Sequence, residues 1–151
     1  MFETFGRLIY YAIWPVLVLY TPFTHRTRVV VRCGTDVLLV KGWLSSGMWQ
    51  LPGGGVHWGE PHDQSAVREL FEETGVTVAA VNLQQVATGR MYELPGYAYT
   101  LYAVDIPAKS QLRLQKGEIT NAVWLPQDEV LANNALRADA RILLQQFANY
   151  S

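Results

Sequence analysis

A run of three glycines followed by an acidic helical stretch constrains this chain more than any other feature. Gly53–Gly55 allows a close approach of the backbone to a neighbouring group. Pro61 suits the first position of a helix over His62–Thr74, and Gly75 suits its C-terminal cap. On a helical wheel, apolar and acidic residues gather on opposite sides. The predicted core face contains Ala66, Val67, Leu70, Phe71 and Thr74.

Three carboxylates on the polar side of this helix lie within about one turn of each other. Glu69, Glu72 and Glu73 are neighbours on the helix surface, and such like charges destabilise an isolated helix by a few tenths of a kcal/mol per pair. They also lie in the C-terminal half, where the helix dipole disfavours negative charge. A divalent cation removes this conflict, and hard oxygen ligands favour magnesium, manganese or calcium over zinc. The pattern predicts a metal-binding face beside the glycine loop, suited to a pyrophosphate.

These residues belong to a longer string with fixed spacing. The string contains Gly54, Glu60, Arg68, Glu69, Leu70, Glu72, Glu73, Gly75 and Val76. It reads Gly, five residues, Glu, seven residues, Arg-Glu-aliphatic, one residue, Glu-Glu, one residue, Gly-aliphatic. With this string the chain resembles the Nudix hydrolases. The competing interpretation is a solvated glutamate-rich helix. On that interpretation, the match at the other positions of the string is a coincidence.

The resemblance implies a role for each matching residue. The implied metal ligands are Glu69, Glu72, Glu73 and the Gly53 carbonyl, with Glu118 from a later loop. Glu60 and Arg68 are implied to orient these carboxylates, because a guanidinium can hold a carboxylate with two hydrogen bonds. The general base stays open among Glu72, Glu73 and Glu118. Predicted substrate contacts are Gly54, Gly55, Tyr92 and Asn134.

The rest of the chain fits an α+β fold with a mixed sheet. Predicted strands cover Val29–Arg32, Val37–Lys41, Trp49–Leu51, Val76–Val81, Leu83–Thr88, Tyr97–Ile106 and Ile119–Leu125. A short helix opens after Pro126, and an amphipathic helix covers Leu136–Phe147. The resemblance implies a Nudix-type α/β/α sandwich over residues 26–151, with the acidic helix as its central catalytic helix.

Residues 1–25 form a separate apolar segment that ends near Thr21-Pro22. The uncharged run Leu8–Tyr20 is shorter than the about 20 apolar residues that span a membrane, and Pro15 interrupts it. Three interpretations stay open: a helix packed on the domain or on a partner, an interfacial membrane helix, or a weak anchor. We expect the packed helix, because apolar runs of this length are more often buried. A further interpretation is that the segment forms a homodimer interface.

Composition and net charge narrow the functions and cellular compartments that remain open for the chain. The 151 residues amount to about one domain, and 12 Lys and Arg against 13 Asp and Glu leave a net charge of −1. This balance argues against stable nucleic-acid binding through a basic patch. The single cysteine, Cys33, cannot build a disulfide framework, so nothing indicates an oxidising compartment and we expect a cytoplasmic protein.

The resemblance implies hydrolysis of a pyrophosphate bond in a nucleoside diphosphate linked to another moiety, with Mg²⁺ or Mn²⁺ as cofactor. Nucleoside triphosphates, nucleotide sugars, ADP-ribose and dinucleoside polyphosphates all fit this description. One alternative is a catalytically silent Nudix-fold sensor that binds a nucleotide. Another is a membrane-associated hydrolase of a lipid-linked diphosphate. The retained carboxylates Glu69, Glu72 and Glu73 favour the enzyme over the sensor.

Overall fold

A mixed five-stranded sheet forms the centre of the part of the chain that the computed structural model describes, residues 2–20, 23–92 and 96–150. The strands are β1 (His25–Cys33), β2 (Asp36–Gly42), β3 (Gln84–Met91), β4 (Tyr97–Asp105) and β5 (Ile119–Pro126). Their order is β3-β4-β1-β2-β5, with β1 and β4 parallel and the other neighbours antiparallel. The helices are α1 (Phe2–Tyr20), α2 (His62–Thr74), α3 (Gln127–Ala132) and α4 (Ala138–Tyr150). This architecture confirms the predicted α+β fold with a mixed sheet.

The two faces of the sheet bury two separate clusters, because successive side chains of a strand point to opposite faces. In β1, Val30 packs with residues of α4, such as Leu143 and Leu144. Val29 and Val31 point to the other face and pack with residues of α2, such as Ala66 and Leu70. The sheet therefore lies between α2 and α4, and β1 runs through the middle of both clusters.

Two of the predicted strands are wrong. The segment Val76–Val81 is irregular chain that leads into a 3-10 turn over Ala80–Asn82. Val76 and Val78 pack on the cluster around α2 without pairing to a neighbouring strand, whereas Val81 is 89% exposed. The segment Trp49–Leu51 makes only isolated bridges, from Gln50 to β2 and from Trp49 to Leu136. Burial of Val76 in the first segment and of Leu51 in the second accounts for part of the apolar pattern that indicated a strand.

The N-terminal helix α1 contacts the loop that follows β2. A Cβ atom on Gly6 would lie 2.4 Å from the carbonyl oxygen of Trp43, so this close approach depends on glycine. Tyr10 is buried, whereas Leu8 and Leu19 are exposed. No helix in the described ranges is long and apolar enough to cross a membrane. The Thr21-Pro22 junction lies outside the described residues, and the division of the chain at residue 25 stays a prediction.

A buried ion pair ties the start of α4 to β4. The Asp139 carboxylate accepts hydrogen bonds from the Tyr97 hydroxyl at 2.7 Å and from the Arg137 guanidinium at 3.0 and 2.9 Å. Burial raises the pKa of Asp139, but the charge and hydrogen bonds of Arg137 outweigh it and hold the pKa at about 2. Because this value lies below the ordinary 3.8, the carboxylate stabilises the fold above pH 3.8 and ceases to do so as the pH falls towards 2.

We expect Asp139→Asn to lower the free energy of unfolding by about 2–4 kcal/mol at pH 7, because the buried charge of Arg137 loses its partner. Urea denaturation measures this loss. The difference from wild type should shrink as the pH falls from about 4 towards 2, since the wild-type carboxylate then becomes protonated. Asp128→Asn, at an exposed position of α3, is the matched control and should cost at most about 0.5 kcal/mol. Equal losses in the two variants would contradict this account.

Candidate active site

The glycine loop is fixed along the backbone of β1. The amide of Thr27 donates to the Gly54 carbonyl at 2.9 Å, and the amide of Val29 donates to the Pro52 carbonyl at 3.0 Å. Gly53 has a φ of 129°, which side chains of L-residues rarely adopt. A Cβ atom there would lie 2.3 Å from the Thr27 carbonyl oxygen. The loop can therefore lie against β1 only with glycine at position 53.

Helix α2 confirms the predicted bounds and corrects the predicted faces. It begins after Pro61 and ends at Gly75, whose φ of 74° is left-handed. Phe71, placed in the core by the wheel, is 56% exposed. Glu73, placed on the polar side, is only 7% exposed, because its carboxylate turns to the glycine loop and accepts a 2.8 Å hydrogen bond from the Gly53 amide. The helix thus presents Glu73 to the loop and Phe71 to the surface.

One guanidinium gathers three carboxylates beside the loop. Arg68 donates to both oxygens of Glu60, at 2.8 and 2.9 Å. It also donates to Glu69 at 2.8 Å and to Glu72 at 3.2 Å. The hydrogen bonds that Arg68 donates lower the pKa of Glu60 to about 2, and donating to Glu60 and Glu69 raises the pKa of Arg68. The pairing of Glu60 with Arg68 that the resemblance implies is thus present, and Arg68 offsets the repulsion between its neighbours.

The carboxyl group of Glu73 has a different environment. Burial raises its pKa to about 7, and the negative charges of Glu69 and Glu118 act in the same direction. The hydrogen bond from the Gly53 amide and the charge of Arg28 lower it, but by less. Near neutral pH this group is therefore poised between its two protonation states, and a nearby positive charge would favour the ionised form.

A cavity of about 500 Å³ opens beside the loop and brings together carboxylates from two parts of the chain. Glu69 and Glu73 reach it from α2, and Glu118 reaches it from the turn before β5. Gly54 and Gly55 form part of its wall. A larger cavity of about 650 Å³ lies near Arg32 and Phe147, and none of the predicted site residues lines it.

Six predicted site residues lie outside the wall of the 500 Å³ cavity: Gly53, Glu60, Arg68, Glu72, Tyr92 and Asn134. Glu72 is half exposed and is held by Arg68. Tyr92 is 82% exposed after β3, and Asn134 is exposed in the turn between α3 and α4. Within the described ranges, no three His, Cys, Asp or Glu side chains are grouped as they would be around a metal ion. The Glu69 carboxylate instead accepts a hydrogen bond from Arg68, and the Glu73 carboxylate accepts one from the Gly53 amide.

Two arginines at the site are not among the predicted site residues. Arg28 is only 3% exposed and donates to the Gly53 carbonyl, the implied metal ligand. Arg26 lines the cavity, and its Nε is buried with no hydrogen-bond partner in the described chain. The signal was the two-residue alternation of β1, which places both arginines on the face of the buried Val30.

The comparisons with known proteins agree on one family. The family model of the NUDIX domain matches residues 23–147. An RNA pyrophosphohydrolase from Brucella ovis is 44% identical over 48 residues, which cover 32% of this chain and 26% of that protein. The NAD-capped RNA hydrolase NudC from Mannheimia succiniciproducens is 30% identical over 107 residues, which cover 67% of this chain and 39% of that protein.

Solved structures show the same fold. The NUDIX domain of Shewanella oneidensis NrtR, solved in a complex with ADP ribose, has a TM-score of 0.73 at 21% identity, over 87% of this chain and 90% of that chain. The protein therefore belongs to the Nudix family, whose hydrolases generally use divalent metals. It spans well under half the length of the two sequence relatives.

We expect Gly53→Ala to lower the free energy of unfolding by about 2–4 kcal/mol, because the new Cβ meets the backbone of β1 and the positive φ strains the residue. Urea denaturation of the full chain measures the change. Gly55→Ala is the matched control in the same loop, since a Cβ there meets nothing within 4 Å. A loss in Gly55→Ala as large as that in Gly53→Ala would contradict the proposed contact between loop and strand.

Proposed function

We propose that the protein is a divalent-cation-dependent pyrophosphohydrolase that cleaves a nucleoside diphosphate linked to another moiety. The observation that carries the proposal is the convergence of Glu69, Glu73 and Glu118 on one cavity beside the glycine loop. The names of the sequence relatives, an RNA pyrophosphohydrolase and a NAD-capped RNA hydrolase, support a nucleotide-type substrate. So does the ADP ribose bound to the structural neighbour. A cytoplasmic location and a homodimer stay predictions.

The chemistry of the donors fits a hard cation. Carboxylate and carbonyl oxygens are the ligands of Mg²⁺ and Mn²⁺, and no described residue of the cavity wall offers a soft sulfur or imidazole donor. We assign Glu69, Glu73 and Glu118 as ligands, with Glu72 and the Gly53 carbonyl as further ligands. In this structure arginines hold the last two groups, Arg68 on Glu72 and Arg28 on Gly53. A bound cation neutralises charge on the pyrophosphate and lowers the pKa of a bound water.

The residues of the chain prepare this site for an anionic substrate. Arg68 holds Glu60, Glu69 and Glu72 in place, so the carboxylates stay concentrated although they repel each other. Gly54 and Gly55 bring backbone rather than side chains to the cavity wall, which leaves room for phosphate oxygens. One of Glu72, Glu73 and Glu118 accepts the proton of the attacking water as general base.

We expect Glu69→Gln, Glu72→Gln and Glu73→Gln each to lower kcat at least about 100-fold while the fold is kept, because each removes a negative charge from the proposed metal site. A phosphate-release assay with Mg²⁺ or Mn²⁺ measures turnover over nucleoside triphosphates, nucleotide sugars, ADP-ribose and dinucleoside polyphosphates. Glu129→Gln, at an exposed position of α3, is the matched control and should keep the wild-type rate.

Two results would overturn parts of this proposal. Wild-type rates in the three glutamate variants would remove the metal-site assignment. No turnover by the parent protein on any of the four substrate classes, with metal present, would favour a sensor that binds a nucleotide without cleaving it.

A further inference from the structure

We infer that α1 closes a subsite for an additional phosphate of the substrate, with Arg26 as the residue that binds it. This inference rests on the proposed pyrophosphohydrolase function. It narrows the substrate to compounds that carry a phosphate beyond the two that flank the cleaved bond.

A second, smaller cavity adjoins the carboxylate-lined one. Its volume is about 170 Å³, and its wall includes Tyr10, Leu17, Arg26, Leu44, Gln50 and Tyr97. Three of these residues, Arg26, Leu44 and Gln50, also line the cavity that contains Glu69 and Glu73. The two cavities are therefore neighbouring compartments of one site. We call the smaller compartment the Arg26 subsite.

Helix α1 supplies the outer wall of the Arg26 subsite. Tyr10 and Leu17 come from α1, and every other residue of the wall comes from the rest of the chain. The contact of Gly6 with the backbone of Trp43 brings the helix close enough to do this. Tyr10 is only 8% exposed as a result. The helix thus gives the site a wall that the matched family domain, which starts at residue 23, does not include.

The charge of Arg26 indicates what the subsite binds. The guanidinium stacks over the ring of Tyr97 at 5.7 Å, and its Nε is buried without a hydrogen-bond partner within the described ranges. Burial lowers the pKa of Arg26, and the positive charge of Arg28 lowers it further. A buried donor without an acceptor costs free energy, which an anionic ligand would recover. The other arginine of the wall, Arg137, is already paired with Asp139.

The size of the subsite favours a single phosphate group. Cavities that bury a whole ligand typically measure about 300–1,000 Å³, and a water molecule takes about 30 Å³ of liquid volume. A compartment of 170 Å³ lies between these limits, so it takes one group and not a whole nucleotide. Arginine suits phosphate because its planar fork of donors matches the phosphate oxygens, and Gln50 adds an amide that can donate to them.

Equilibrium binding of inorganic triphosphate and inorganic pyrophosphate to the full chain, in the presence of Mg²⁺, tests this inference. We expect wild type to bind triphosphate at least about tenfold more tightly than pyrophosphate. Arg26→Gln should abolish this preference. Arg32→Gln should keep it, because Arg32 lies about 20 Å further along the same strand at about 3.3 Å per residue. Circular dichroism and thermal unfolding establish that each variant is folded.

A second pair of variants tests the role of α1. Leu17→Glu places a carboxylate at the wall of the Arg26 subsite, so it should compete for Arg26 and reduce the preference for triphosphate at least about fivefold. Leu19→Glu introduces the same charge at an exposed position of the same helix and should leave the preference unchanged.

Equal binding of the two anions by wild type, or a preference that survives both Arg26→Gln and Leu17→Glu, would overturn the inference. Absence of hydrolysis would instead count against the proposed function, because the binding measurement needs no turnover. A preference that is lost in Arg26→Gln would support the subsite in either case.

Discussion

The concentration of negative charge on one helix is the constraint on which the rest of the site depends. Carboxylates three and four residues apart on a helix repel each other, and the helix dipole disfavours negative charge near the C-terminal end. The protein keeps them together with a single guanidinium, since Arg68 bonds Glu60, Glu69 and Glu72 at the same time. The Glu73 carboxylate instead turns to the glycine loop and accepts a hydrogen bond from the Gly53 amide. These contacts reduce the repulsion and leave the cavity lined with carboxylates.

The opposite side of the cavity depends on strand β1. β1 supplies the backbone on which the glycine loop lies, and it also supplies the two arginines that flank the loop. Arg28 binds the Gly53 carbonyl, while Arg26 lines both cavities and its buried Nε has no hydrogen-bond partner within the described ranges. One strand therefore fixes the loop and sets the charge on both sides of it. The proposed phosphate site of a chain with a net charge of −1 therefore needs no basic surface patch.

The sequence predicted the parts of the molecule that local rules determine. The spacing of the Nudix string, the helix His62–Thr74 and its cap at Gly75 follow from residue type and position alone. The burial of Glu73 and the exposure of Phe71 do not, because they depend on how α2 is rotated against the loop. Likewise, the role of Arg28 depends on its contact with the Gly53 carbonyl. The sequence of β1 alone does not distinguish it from other strand arginines. Residues whose role depends on a distant contact were therefore missed.

The pH dependence of Mn²⁺ binding shows whether Glu73 is a ligand of the proposed metal site. If Glu73 is a metal ligand with a pKa of about 7, the affinity of the wild type should rise about tenfold from pH 6 to pH 8, because the carboxyl group must lose its proton to bind the ion. Electron paramagnetic resonance counts the free Mn²⁺ at each pH. The account predicts that Glu73→Gln binds Mn²⁺ more weakly and loses this pH dependence. A variant with the affinity and pH profile of the wild type would contradict it.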